Sequence, residues 1–148
     1  MNPLTLTVER KRADLPRYVV LSTAQAHALG VTGTAILDCA FAGLHARRSL
    51  KRWDEARWFF ELPDALCKRA GIDTGDVVTF TLSRADESIP EPLRACLDAE
   101  PSAWERWRAL SEAQRRQTRE HVRAAAREAT RARRARHFVD SLVRREHR

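Results

Sequence analysis

The sequence has few cysteines, and their arrangement fits neither a metal cage nor a disulfide framework. Cys39, Cys67 and Cys96 are odd in number and widely spaced, with no Cys-x-x-Cys pair. Paired or clustered cysteines are typical of structural zinc sites and of small secreted domains. The pattern therefore excludes those two classes and predicts reduced thiols in a cytoplasmic protein.

Long hydrophobic runs are also absent. Apolar stretches such as residues 35–44 (AILDCAFAGL) are interrupted and well short of the roughly 20 residues that a membrane helix needs. Residues 1–18 lack a charged segment followed by an apolar stretch and a small-residue cleavage site. We therefore predict no membrane span and no secretion signal, and we expect a cytoplasmic location.

The common motifs of catalytic and metal sites are missing as well. No His-Glu-x-x-His or Gly-x-Ser-x-Gly segment occurs, and no lysine follows the Gly30 to Gly33 stretch to make a phosphate-binding loop. The five histidines show no metal-ligand spacing. We therefore predict no metal, no cofactor and no catalytic residues, and we interpret the chain as a protein that is not an enzyme.

Positive charge is present in excess and lies mostly in the second half. The net charge is +7; residues 87–148 hold 15 Lys/Arg against 10 Asp/Glu, whereas residues 1–86 hold 12 against 10. All 15 in the second half are arginines. Such a surplus favours a polyanion or an acidic partner, although a GC-rich genome produces the same arginine bias without any functional cause.

One sequence pattern occurs twice, about 41 residues apart. Residues 25–40 read QAHALGVTGTAILDCA, and residues 66–82 read LCKRAGIDTGDVVTFTL. In each copy, apolar residues at helical spacing lead to a glycine (Gly30 or Gly71), a short polar turn and an alternating strand. We interpret this as a duplication, the alternative being chance similarity between two ordinary connections.

Two such copies predict a small barrel, because neither can bury its apolar strand face alone and a pseudo-twofold pair can close one. Further strands are expected over residues 4–10, 18–21, 44–50 and 57–62, with a hairpin turn at residues 42–43. The predicted fold is α+β: a small closed β-barrel with pseudo-twofold internal duplication over residues 1–86. A C-terminal bundle of short helices follows over residues 87–148.

The expected helices of the second part follow a polar linker at residues 86–90. They are predicted over residues 90–99, from Pro101 onward, over 112–127 and over 129–145. The third begins at Ser111-x-x-Gln114, which is a capping-box signature.

Two resemblances add to this interpretation. Residues 62–82 (LPDALCKRAGIDTGDVVTFTL) resemble the AbrB/MazE type of small barrel, in which two chains form one barrel and many members bind DNA. The whole chain looks like the two-part form of the YdeI/OmpD-associated (bacteriocin-protection) family. The matching residues are Arg69, Gly71, Gly75, Asp76, Val78, Pro90, Leu93, Leu110, Ser111, Arg115, Arg116, Thr130, Arg131, Arg133 and Arg134. This second resemblance implies a small barrel domain of unknown function and a link to stress or antimicrobial-peptide resistance.

A stretch that mixes cations with aromatic rings is the first candidate site. Its predicted ligand-binding residues are Arg47, Arg48, Arg52, Trp53, Arg57 and Trp58. Guanidinium groups and indole rings can clamp a planar anion or a peptide carboxylate. The same residues also fit a charged barrel edge with two packed tryptophans, so both interpretations stay open.

The arginine-rich helices are the second candidate. Glu112, Glu120 and Glu128 are interleaved with arginines at spacings that favour ion pairs on a solvated helix face. Four arginines have no interleaved acid and are the candidate nucleic-acid contacts: Arg131, Arg133, Arg134 and Arg136.

We therefore predict a non-catalytic cytoplasmic binding protein linked to antimicrobial-peptide or antibiotic resistance or to stress adaptation. Its partner would be a small-molecule or peptide ligand held at the barrel mouth or at the seam between barrel and helices. The alternative is an AbrB-like regulator that binds nucleic acid through the arginine-rich helices. The sequence is compatible with a monomer or a homodimer.

Overall fold

The computed structural model describes residues 2–144, and the chain divides into two units after Asp86. The first unit contains six strands and two short helices. The strands are β1 (Asn2–Thr7), β2 (Arg17–Ser22), β3 (Ala35–Phe41), β4 (Leu44–Arg52), β5 (Arg57–Leu62) and β6 (Val77–Arg84). Helix α1 (Thr23–Ala28) connects β2 to β3, and helix α2 (Asp64–Ala70) connects β5 to β6.

The six strands form one antiparallel sheet that is nearly closed into a barrel. Their order is β1-β6-β3-β4-β5-β2. The two end strands are joined by a bridge between Glu9, which follows β1, and Tyr18 of β2. The predicted α+β fold with a small barrel is thus confirmed, the closure resting on this one bridge rather than on a full ladder.

The strand order also carries the internal duplication. Exchanging β1, β2 and β3 with β4, β5 and β6 leaves the set of neighbouring strands unchanged. The residue pairs correspond as well: the bridge Glu9–Tyr18 has its counterpart in the pair Lys51–Phe59 that joins β4 to β5. The duplication therefore covers all six strands, including β1 and β4, whose sequences are not visibly alike.

The two copies end their helices in the same way. Gly30 and Gly71 both have positive φ, +80° and +68°. In each copy the glycine N–H donates to the carbonyl oxygen three residues back, and the next residue's N–H donates to the one five back, at 3.1 Å. This is the Schellman arrangement, which favours glycine at the left-handed position. Gly33 and Gly75 do not correspond so closely, because only Gly75 has positive φ.

Replacing Gly71 or Gly30 with alanine is expected to lower the free energy of unfolding by about 1–2 kcal/mol. No atom lies within 4 Å of the added Cβ at either position, so the loss comes from the backbone conformation alone. Gly33→Ala is the matched control: its surroundings are equally open but its φ is not positive, so the change should be neutral or slightly stabilising. Urea denaturation measures all three; equal losses at Gly33 and Gly71 would contradict the interpretation.

The inner face of the barrel is filled by alternate residues of each strand. On β5 the buried residues are Trp58, Phe60 and Leu62, and on β2 they are Val19 and Leu21. Phe80 of β6 packs against Phe60, with ring centroids 5.6 Å apart. The side chains between them in sequence, such as Tyr18 and Phe59, therefore point to the outside of the barrel wall.

The second unit consists of four helices: α3 (Glu91–Ala99), α4 (Ala103–Ala109), α5 (Glu112–Arg123) and α6 (Glu128–Arg144). Its core is made by large apolar residues with two alanines between them: Leu93, Leu97, Trp107, Val122, Val139 and Leu142, with Ala103 and Ala135. The predicted capping box at Ser111 is confirmed, since Ser111 Oγ accepts from Gln114 N and Gln114 Oε1 accepts from Ser111 N.

Helix α5 ends four residues earlier than the sequence predicts. No glycine or proline marks this end, and Ala125 is buried. Arg131 Nη1 of α6 donates to the carbonyl oxygens of Ala125 at 2.9 Å and Ala126 at 3.1 Å. The carbonyl groups that a longer helix would use for its own hydrogen bonds thus accept from an arginine of the next helix. This contact between two helices cannot be predicted from the local sequence.

Candidate ligand-binding pocket

The two tryptophans of the predicted cation–aromatic site lie in different environments. Trp58 is only 2% exposed and belongs to the barrel core, which agrees with the packed-tryptophan interpretation of this residue. Its position on the inner face of β5 follows from the alternation with Phe60. Trp53, in the turn between β4 and β5, is half-buried and contacts a surface pocket.

That pocket has a volume of about 320 Å³ and includes outward-facing residues of β2 and β5. It is lined by Lys11, Leu15, Pro16, Tyr18, Arg52, Trp53, Phe59 and Glu61. Tyr18 and Phe59 both pack against Trp53, with ring centroids 5.4 and 5.5 Å from it in edge-to-face geometry. The three rings form an apolar wall of fixed shape.

Cations surround the Trp53 ring. Lys11 Nζ lies 4.6 Å and Arg57 Cζ 4.7 Å from its centroid, which is cation–π distance. Arg57 is paired with Asp54 at 2.7 Å, and this hydrogen bond, with the amide of Ala56, lowers the pKa of Asp54. The positive charge of Arg57 is therefore neutralised by Asp54. Lys11 and Arg52, in contrast, have no carboxylate partner among residues 2–144.

One arginine positions the loop that forms the pocket rim. Arg10 Nε donates to the carbonyl oxygens of Leu15 at 2.8 Å and Arg12 at 3.1 Å, and its Nη2 donates to that of Ala13 at 2.6 Å. These bonds hold residues 10–16 in a tight bend. The bend places Lys11 and Leu15 at the pocket, so the rim depends on Arg10 although Arg10 does not line it.

The remaining predicted site residues have structural partners. Arg48 Nε donates to the Glu61 carbonyl oxygen at 2.7 Å, and Arg47 Nη2 donates to that of Asp86 at 2.8 Å. Neither lines the pocket. Arg52 and Trp53 do, and Arg57 reaches it through Trp53. The structure therefore brings three of the six predicted residues together and places Arg47, Arg48 and Trp58 elsewhere.

Several pocket residues were not predicted from the sequence. They are Lys11, Leu15, Pro16, Tyr18, Phe59 and Glu61. The alternation of β2 and β5 is the available signal: Tyr18 and Phe59 are aromatic residues that fall on the outward face of strands whose inward faces are already full. That β2 and β5 are neighbours, with Tyr18 opposite Glu61, depends on the barrel topology.

The arginines of α5 are mostly paired with acids. Arg115 and Arg119 contact Glu112 at 3.0 and 2.8 Å, and Arg116 contacts Glu87 at 3.3 Å. Arg123 lies 3.6 Å from Glu120. The pairs of Arg115 and Arg123 have the i,i+3 spacing that the interleaved pattern predicts.

The four candidate nucleic-acid contacts on α6 separate into two kinds. Arg131 bonds the carbonyl groups of Ala125 and Ala126, and Arg134 Nη1 donates to the His121 carbonyl oxygen at 2.7 Å. Arg133 and Arg136 are exposed and make no hydrogen bond or ion pair within residues 2–144. Two of the four guanidinium groups are thus already engaged in covering the end of α5.

The three cysteines are neutral thiols. Burial raises the pKa of Cys39 to about 12, and burial also raises the pKa of Cys67 and Cys96. A thiol with a raised pKa holds its proton at neutral pH and is a poor nucleophile and metal ligand. Within residues 2–144, no group of three or more His, Cys, Asp and Glu side chains is arranged to hold a metal ion.

The fold and the pocket define a two-part protein in which a duplicated six-strand barrel unit precedes a four-helix unit. Residues 88–145 match the family model described as bacteriocin-protection, YdeI or OmpD-associated. The match covers less than half of the chain and leaves the barrel unit outside it; over these residues it agrees with the resemblance predicted from the sequence. No curated protein and no solved structure matches the chain. No helix of the part that the structure describes is long and apolar enough to cross a membrane.

Proposed function

We propose that the chain is a non-catalytic cytoplasmic binding protein that takes a small or peptide ligand in the pocket beside Trp53. Its role would lie in antimicrobial-peptide or antibiotic resistance or in stress adaptation. The family match of residues 88–145 supports the link to resistance. The observation that carries ligand binding is the pocket of about 320 Å³ walled by three aromatic rings on the outside of the barrel.

The charges of the pocket favour an anionic ligand. Glu61 lies 3.9 Å from Lys51, and Asp54 is bound to Arg57. Lys11 and Arg52 therefore supply a positive surplus next to the rings. A ligand that combines a planar apolar part with a carboxylate would stack on the rings and pair with these cations. An aromatic residue at a peptide C-terminus and a small aromatic acid both have this chemistry.

The neutral thiols support a binding role rather than covalent chemistry, because none of the three cysteines offers a thiolate at neutral pH. The pocket residues include no serine, threonine, cysteine or histidine, which are the residue types of the common nucleophile–base pairs. The aromatic rings and cations of this pocket are therefore suited to binding a ligand.

A ligand screen tests the proposal. Antimicrobial peptides and small aromatic carboxylates are added to the full chain, and a ligand that binds the folded state raises the melting temperature with concentration. For a compound that does so, Trp53→Ala is expected to weaken binding at least about tenfold by calorimetry, because a stacking face and its cation contacts are lost.

Trp104→Ala is the matched control, since Trp104 is also half-buried and also contacts a cation, Arg108, but belongs to the helical unit. Its affinity should stay within about twofold of the parent. Trp58→Phe is a second control, expected to lower stability and leave affinity unchanged because Trp58 is in the core. Equal weakening by Trp53→Ala and Trp104→Ala, or no shift with any compound, would remove the support for this pocket.

A further inference from the structure

A second cleft lies between the C-terminal turn of α5 and the middle of α6. It has a volume of about 400 Å³ and is lined by His121, Arg133, Arg134, His137, Phe138 and Ser141. All six residues belong to the helical unit, and none of them is among the residues that line the Trp53 pocket. Two guanidinium groups, two imidazoles and a hydroxyl meet there, and no carboxylate lines the cleft.

The residues of α6 reach this cleft because of their spacing. Arg133 and His137 are four residues apart, as are Arg134 and Phe138, and Ser141 follows His137 by four. Side chains at this spacing lie on one side of a helix. The hydrogen bond from Arg134 to the His121 carbonyl oxygen holds the end of α5 against them.

The negative end of α5 does not cancel this positive charge. The last carbonyl groups of a helix carry partial negative charge and would repel an anion. Here the His121 carbonyl oxygen, in the last turn of α5, accepts a hydrogen bond from Arg134, and the carbonyl oxygens of Ala125 and Ala126, which follow the helix, accept from Arg131. Arg133 is left with no ion pair within residues 2–144, so its five N–H donors are available to a ligand.

We propose that this cleft binds a phosphate monoester carried on a small apolar or aromatic group. The Arg133 guanidinium presents paired donors that match phosphate oxygens. Ser141 Oγ and the imidazoles of His121 and His137 add donors for the remaining oxygens. The volume exceeds that of a bare phosphate, and the ring of Phe138 supplies an apolar surface for the group that carries it.

The test adds phenyl phosphate to the full chain, with benzoate in parallel, and the amide chemical shifts of the cleft residues give the affinity of each probe for this cleft. We expect phenyl phosphate to bind more tightly than benzoate and to shift the amides of His121, His137 and Ser141. Arg133→Ala should weaken phenyl phosphate binding at least about tenfold. Arg136→Ala is the matched control, because Arg136 is an exposed, unpaired arginine of the same helix that lies outside the cleft; it should change affinity less than about twofold.

Each other outcome overturns the proposal. Equal weakening by Arg133→Ala and Arg136→Ala would mean that binding follows net charge rather than the cleft. Absence of phenyl phosphate binding at the cleft amides, or benzoate bound there as tightly as phenyl phosphate, would rule out a phosphate site. Retention of duplex DNA that falls steeply with salt, without saturable phenyl phosphate binding, would favour a polyanion surface instead. Circular dichroism of both variants confirms that they fold. The affinities are taken from the amide shifts of the cleft residues, so that binding of either probe at the Trp53 pocket does not enter them.

Discussion

Replacing Phe80 with alanine is expected to lower the free energy of unfolding by about 3–5 kcal/mol. Phe80 is fully buried at the centre of the barrel, where its ring lies 4.7 Å from Phe41 and 5.6 Å from Phe60 between centroids. Its strand, β6, pairs with β1 on one side and β3 on the other. A cavity at this position therefore loosens contacts between both halves of the duplication, and neither neighbouring strand can move inward independently to fill it.

Urea denaturation followed by circular dichroism and tryptophan fluorescence measures the loss. Val77→Ala on the same strand is the control, because Val77 is 66% exposed and should change stability by no more than about 0.5 kcal/mol. Phe80→Leu keeps most of the volume and should cost clearly less than Phe80→Ala. Similar losses for Phe80→Ala and Val77→Ala would contradict the placement of Phe80 in the core.

Much of the barrel could be predicted from the sequence because the residues that end its helices and mark its strands act locally. Gly30 and Gly71 end helices, alternating residues mark strands, and β5 lies at the predicted bounds. These signals depend on the conformational preferences of single residues and on side-chain period, which operate before any tertiary contact forms. The correspondence of the two copies follows from the same signals.

The extent of the duplication was not visible in the sequence. β1 and β4 occupy equivalent places in the strand order, yet their sequences PLTLT and HARRSL share little. Many residue types satisfy a half-buried strand, so the equivalence is preserved in backbone pairing rather than in side chains. The Glu9–Tyr18 bridge that nearly closes the barrel is a backbone contact and has no sequence signature.

In the candidate pocket too, some residues could be predicted from the local sequence and others depend on the strand pairing. Arg52, Trp53 and Arg57 were predicted because they are close in sequence. Lys11 and Tyr18 come from a different segment and reach Trp53 only through the pairing of β2 with β5. Trp58 was placed in the site because a tryptophan next to cations looks the same whether its side chain faces in or out. Strand alternation would have assigned it to the core, together with Phe60.

Replacing Glu112 with glutamine is expected to lower the free energy of unfolding by about 1–2 kcal/mol at neutral pH, an estimate reduced for the partial exposure of Glu112. Glu112 begins α5 and accepts from Arg119 at 2.8 Å and Arg115 at 3.0 Å. The side chain of Arg119 is only 9% exposed, so the variant leaves a nearly buried cation with a weaker partner. Glutamine keeps the size of the side chain and retains one of its two acceptor oxygens.

The pH dependence of this loss identifies the ion pair as its cause. The hydrogen bond from Arg119, with that from Arg115, lowers the pKa of Glu112 in the folded state. A carboxyl group with a lowered pKa stabilises the fold at neutral pH, and the stabilisation disappears as the pH falls through the folded-state value. The difference between parent and Glu112→Gln should therefore shrink toward zero in acid, where the carboxyl is neutral like the amide.

Glu105→Gln is the control that distinguishes the contribution of the ion pair to stability from that of the helix dipole. Glu105 lies in the first turn of α4 but has no cationic partner within residues 2–144. It should cost only a few tenths of a kcal/mol at neutral pH. Thermal unfolding of the three proteins between neutral and acid pH gives the comparison. A difference between parent and Glu112→Gln that persists unchanged in acid would show that the carboxylate's charge is not its source. Arg119 would then be held in the helical unit by packing and by Glu87, which lies 3.8 Å away.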